Sequence, residues 1–252
     1  MGVSSEGNRV TLMERVGVSA ADRERYRGML DFVKECLAKP QKDQEHVFCI
    51  NFDRYLHTER VLSWALRLYD GWEDKSRIDL DALITATIFH DCGYPTCDDL
   101  KDHAEESARI AAEYLPKAGY GEERAEFITE LVRYHGEKSW LTERPSAVAL
   151  AGAASMTTDG AIPDELTILM EADLFDDMGV MGIVMDTWIQ AQTNAEVTFE
   201  SIRDHINKYT LRLQYKDREK LRSDVAKKLW DEKTKLVQDF YDSLCTDLEL
   251  PM

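Results

Sequence analysis

The sequence predicts an all-α protein, and three observations carry that prediction. Apolar residues recur at three- and four-residue spacing along most of the chain, no segment alternates with a period of two over strand length, and Gly, Pro and capping residues divide the chain into runs of helical length. About eight to ten helices are expected, forming a single compact bundle with a helical C-terminal extension.

Ser19 is placed to cap an early helix, with Asp22 in its first turn, an apolar face of Tyr26, Leu30, Val33 and Leu37, and an end before Pro40. His57 opens a second run, with Val61, Trp64, Ala65 and Leu68 inward and Gly71 as its stop. Asp79 or Asp81 starts a third. Its Leu83, Ile84, Ala86, Ile88 and Phe89 make it apolar almost all round, as a central buried helix is, and it runs out into Gly93-Tyr94-Pro95. Ala104 to Leu115 turns Ala108, Ala111, Ala112 and Leu115 inward, and Glu122 to His135 turns in Phe127, Ile128, Leu131 and Val132. Residues 139–163 break the pattern, and the small residues from Ala147 to Gly160 read as a loop or lid. Helix resumes from Asp164 to about Gln192, with Gly179 and Gly182 as points of division, and two more helices cover Glu200 to Leu248. The implied organisation is an N-terminal helical segment over 1–50, a core over 51–192, and C-terminal helices over 193–252 packed on that core.

Of the 252 residues, 44% are hydrophobic and 31% charged, the composition of a folded domain. The 31 Lys and Arg against 48 Asp and Glu leave a formal charge of −17, which argues against a nucleic-acid or anionic-membrane partner. The excess is local. Residues 51–199 hold 12 basic and 29 acidic side chains, while the flanks balance. Such an acidic middle is either a solvated surface or a place where cations are needed. No apolar run approaches the roughly 20 residues of a membrane span. Residues 1–15 have no signal-type apolar stretch, so a cytoplasmic location is expected. Five cysteines without a Cys-x-x-Cys pair point to free thiols.

The dipeptide His90-Asp91 stands where the most apolar helix runs out into the Gly-Pro turn. A rigid helix end of this kind can aim a nitrogen and an oxygen at one ion. His57 begins an earlier helix, and Asp173 lies far downstream. Together these imidazoles and carboxylates suit a divalent ion (Mn, Fe, Co, Ni, Mg or Zn) with positions left open for water and a phosphate oxygen.

This order of ligands resembles the HD-domain phosphohydrolase superfamily, and the small stand-alone bacterial HD hydrolases above all. The resemblance is carried by His57-Thr58-Glu59-Arg60-Val61, by Ala86-Thr87-Ile88-Phe89-His90-Asp91-Cys92-Gly93-Tyr94, and by Glu171-Ala172-Asp173-Leu174-Phe175-Asp176. It covers roughly Asn51 to Trp188. What it implies is an HD-like bundle whose core, 51–192, holds a metal on His57, His90, Asp91 and Asp173, with His90 and Asp91 at the centre of the reaction. It further implies that His103 and His135 hold a second ion or donate to a phosphate; otherwise the first reads as a surface residue and the second as a helix cap.

Arg60, Lys101, Arg109, Arg133 and Lys138 are the candidates to grip phosphate oxygens, with salt bridges to neighbouring acids as the rival reading. Asp176 and Asp177 are either proton carriers and partners that orient a histidine, or a solvated helix end. His46 and His205 read as structural or surface residues, Cys92 and Cys97 as ordinary loop thiols, and the tryptophans as packing, with stacking on a base or ring as the alternative for Trp140. The expected reaction is metal-dependent hydrolysis of a phosphoester or phosphoanhydride of a small phosphorylated metabolite, a nucleotide first. Two alternatives stand beside it: a di-iron oxygenase, and a regulatory module that binds metal and ligand without turnover. No Gly-rich phosphate loop or dinucleotide fingerprint is present. The amphipathic C-terminal helices allow a homo-oligomer.

Overall fold

The computed structural model describes residues 10–40, 54–143, 145, 161–176 and 178–249, and no strand occurs among them. Packing divides the chain into two compact units, Met1–Tyr134 and His135–Met252. The division falls inside the 51–192 core read from the sequence. No described helix is long and apolar enough to cross a membrane.

The first unit holds α1 (Leu12–Arg15), α2 (Ala20–Leu37), α3 (Arg54–Asp70), α4 (Leu80–Phe89), α5 (His103–Tyr114) and α6 (Glu122–Tyr134). Ser19 caps α2 and Asp79 caps α4, each side-chain oxygen accepting from the backbone three residues on. Every residue of α4 from Ala82 to Phe89 is buried, because α2, α3, α5 and α6 pack around it. A polar latch holds its first turn. Asp81 accepts from Arg25 Nη2 (2.6 Å), Tyr26 Oη (2.7 Å), Tyr120 Oη (3.2 Å) and Arg124 Nη2 (2.9 Å). Burial pushes the Asp81 carboxyl up, but the bonds from Tyr26 and Arg25 and the Arg25 charge outweigh it, so it sits below the usual carboxylate range.

Some inward faces differ from the sequence reading. On α2 the buried residues are Tyr26, Met29, Val33 and Cys36, whereas Leu30 and Leu37 are half-buried. Trp64 and Phe127 are also half-buried, and Ala112 is exposed. Each of these residues lies at the edge of an apolar stripe, where the angle of the neighbouring helix decides burial.

The second unit holds α7 (Asp164–Asp176), α8 (Val180–Thr193), α9 (Phe199–His205), α10 (Arg212–Arg218) and α11 (Asp224–Asp247), with a π-helical stretch, Ile206–Leu211, joining α9 to α10. Ile183, Ile206, Leu211 and Val237 form one core cluster. Glu171 on α7 docks the start of α11, accepting from the backbone N–H of Arg222 and Ser223 (2.7 Å each) and from Ser223 Oγ (2.5 Å). Burial raises its pKa against the pull of those bonds. Phe175 meets Trp230 edge to face at 5.1 Å. Gly179 divides α7 from α8, with φ +68 and Lys233 where a Cβ would lie; Gly182 does not divide a helix but is buried inside α8. The first C-terminal helix carries the π-helical stretch, which periodicity alone does not suggest. The loop read over Ala147 to Gly160 lies outside the described residues, as do His46, Cys49 and Asp177.

Candidate metal centre

Because α4 is buried on all sides, its last turn is held in place, and His90 caps that end with Asp91 next in the chain. The turn beyond is fixed by close approach. A Cβ on Gly93 would lie 2.5 Å from the backbone nitrogen of Ser107 on α5, and Gly93 N donates to Ser107 Oγ at 2.9 Å. This packing sets Asp91 beside the first residue of α5, His103. On the opposite side α3 contributes His57.

Four predicted ligands therefore meet within the first unit. His57 Nε2 is 3.1 Å from His90 Nε2 and 3.2 Å from Asp91 Oδ2; His90 Nε2 is 3.5 Å from Asp91 Oδ2, and His103 Nε2 is 3.5 Å from Asp91 Oδ1. His90 is fully buried, Asp91 3% exposed and His57 8%. The protonation of two rings follows from their second nitrogens. A carbonyl oxygen only accepts, so His90 Nδ1 donates to Thr87 O (2.8 Å) and His103 Nδ1 donates to Leu100 O (2.7 Å). Their Nε2 atoms thus face Asp91 as lone pairs or as protonated, charged rings. Lone pairs and carboxylate oxygens gathered in a buried place repel unless a cation lies among them. One proton serves one such contact; a divalent ion serves all of them, and these residues are of the kind that hold one.

Arg54 is a member of the cluster that the sequence does not mark. Its Nη1 donates to Asp91 Oδ2 (3.2 Å), its guanidinium lies 4.0 Å over the Tyr94 ring, and Tyr94 stacks on His103 at 4.3 Å. The available signal is its position three residues before His57, which puts both on one helix face. Arg60, half-buried, is one turn further along α3.

In the second unit His135 and Asp176 are buried, and Asp173 on α7 accepts from Lys138 Nζ at 2.7 Å. An ion on Asp173 must compete with that ammonium. Arg133 takes the salt-bridge alternative, held by Glu105 (2.8 Å) and Glu130; Arg109 likewise pairs with Glu106 (2.8 Å) and Glu113. Lys101 is exposed on the turn before α5. His205 lies against Asp186 (3.8 Å) and the Tyr209 ring, as a structural residue does. Cys92 Sγ donates to Ser107 O and burial pushes its thiol well up, while Cys97 Sγ donates to Tyr94 O. Both fit loop thiols and not metal ligands. Trp140 is buried, whereas Trp188 is half exposed.

Comparison with known proteins agrees with this architecture. Bacillus subtilis YpgQ in complex with ADP shares 17% identity at a TM-score of 0.58, over 90% of this chain and 96% of that one. An HD-superfamily hydrolase from Bacillus thuringiensis shares 13% at 0.59, over 89% and 97%. A predicted HD superfamily hydrolase from an uncultured Thermotogales bacterium shares 19% at 0.53, over 88% and 92%. At these identities the likeness is one of fold. No curated protein matches the chain in sequence. Residues 54–178 match the HD domain family, a stretch that begins at Arg54 and takes in the helix-end His-Asp pair and Asp173; the chain belongs to the HD-domain superfamily.

Proposed function

We propose that the protein is a metal-dependent phosphohydrolase that cleaves a phosphoester or phosphoanhydride of a small metabolite, with a nucleotide as the first substrate to try. The observation that carries this is the convergence of His57, His90 and His103 nitrogens on one buried carboxylate, Asp91, with the outer nitrogens of His90 and His103 tied to carbonyls. The family resemblance adds Asp173 and His135 as further ligands. A divalent ion bound there would supply a water of lowered pKa and neutralise phosphoryl charge. The protein's own residues do the rest. Thr87 O and Leu100 O fix the two rings, and Arg54 offers a fixed positive charge at the edge of the cluster for phosphoryl oxygens, with Arg60 a turn further on. The ADP found with the similarly folded YpgQ supports trying nucleotides first.

Metal analysis of the purified protein, coupled to a phosphatase and nucleotidase panel with added Mn²⁺, tests the proposal. Asp91→Ala should lose both metal and phosphate release, and a variant that keeps full turnover sinks it. A second reading rests on one detail: Asp91 Oδ2 faces His57 and His90 while Oδ1 faces His103, the disposition of a carboxylate that bridges two ions. Two irons per chain with oxygen consumption would favour a di-iron oxygenase. Ligand stabilisation without phosphate release or oxygen uptake would favour a regulatory module.

A further inference from the structure

Apart from the His-Asp cluster, the first unit carries a groove of about 590 Å³ along α5 and α6. Ala112, Pro116 and Ala125 give it an apolar wall, and Glu122, Glu126 and Glu130 line it at four-residue spacing along one face of α6. Surface glutamates alone are ordinary. The buried end of this row is different. Glu130 is 7% exposed and Thr129 6%, and neither Glu130 Oε2 nor Thr129 Oγ1 has a hydrogen-bond partner. Buried polar atoms are rarely left in that state. The other Glu130 oxygen takes Arg133, whose Nε goes to Glu105, so the guanidinium in the same wall is already matched by two carboxylates. What the groove lacks is a cationic donor that also covers apolar surface.

We propose that this groove binds an aliphatic di- or polyamine, with one ammonium at Glu130 Oε2 and Thr129 Oγ1 and the next at Glu126. Four residues of helix rise about 6 Å, a span that a short methylene chain between two ammonium groups can bridge. The chain itself would lie on Ala112, Pro116 and Ala125. A small divalent ion matches the charge but keeps its water and leaves that wall bare.

Isothermal titration of the full chain with spermidine and with putrescine at low ionic strength, using Mg²⁺ as the charge control, tests the site. Spermidine should bind, and putrescine more weakly. Glu130→Gln should weaken spermidine about tenfold or more, and Glu126→Gln several-fold. Glu126 is exposed, so Glu126→Gln and Glu126→Lys decide the matter even where loss of charge beside Arg133 disturbs folding. Three results overturn the proposal. The first is no spermidine binding at millimolar concentration, which leaves water as the partner of Glu130. The others are wild-type affinity in the Glu126 variants, which puts the amine elsewhere, and displacement by Mg²⁺ at equal charge.

Discussion

The two ends of α4 each hold an aspartate, half-buried at the start and buried at the end, and they are built in opposite ways. At the start, Asp81 is surrounded by donors: two guanidinium groups and two phenols point hydrogens at its oxygens, and its pKa falls. At the end, Asp91 takes one guanidinium, that of Arg54 at 3.2 Å, and otherwise faces three imidazole Nε2 atoms, two of them on rings that have committed their other nitrogen to a carbonyl. The first carboxylate is satisfied by the chain itself and acts as a latch. The second holds one guanidinium and otherwise meets ring nitrogens, which together with it are the donor set of a metal ion. What sets the two carboxylates apart in this molecule is the kind of partner each one meets.

The largest effect should come from breaking the second end. Asp91→Ala should lower turnover and metal affinity by at least about a hundredfold, read by phosphate release and metal content. Asp81→Ala should do the reverse, costing about 2–3 kcal/mol in urea unfolding with metal stoichiometry unchanged. A loss of metal in that variant would mean that the two ends are not separable.

Gly93→Ala tests how the ends are joined to the rest. The new Cβ would meet α5 backbone at 2.5 Å, an overpacking that should cost about 2 kcal/mol and also weaken metal binding by shifting Asp91 against His103. Smaller still is the pH response of the latch. The folded pKa of Asp81 lies below its unfolded value, so its stabilisation is present above the unfolded carboxyl pKa of about 4. It is lost as pH falls through the folded value. The difference in unfolding free energy between wild type and Asp81→Asn should therefore shrink between neutral and acid pH, and a constant difference would contradict the sign. Arg109→Ala, which removes only an exposed pairing with Glu106 and Glu113, should change stability by under about 0.5 kcal/mol and leave turnover alone.

Half of this contrast is legible in the sequence. The all-round apolar run from Leu83 to Phe89, its start at Asp79 or Asp81, and the His-Asp pair at its end are local patterns, and local patterns survive in sequence because helix period and capping act over a few residues. The donors around Asp81 are not legible. Arg25, Tyr26, Tyr120 and Arg124 lie elsewhere in the chain, and nothing in their own neighbourhoods marks them as its partners. Arg54 is hidden for a related reason: beside a histidine one turn away, an arginine has the pattern of any surface cation until Asp91 and Tyr94 are seen against it.

The sequence by itself determined that the chain is helical, where most helices begin and end, that its acidity is concentrated in residues 51–199, and which histidines and aspartates are candidates for a metal. Tertiary structure alone decided which face of each helix is buried, that Arg133 and Lys138 are held by carboxylates, and that the His90 and His103 rings turn their outer nitrogens to carbonyls and their inner ones to Asp91. The physical reason is range. Hydrogen-bond periodicity and capping are set within a turn or two of helix, whereas the partner of a charge or a lone pair is set by which distant segment packs against it.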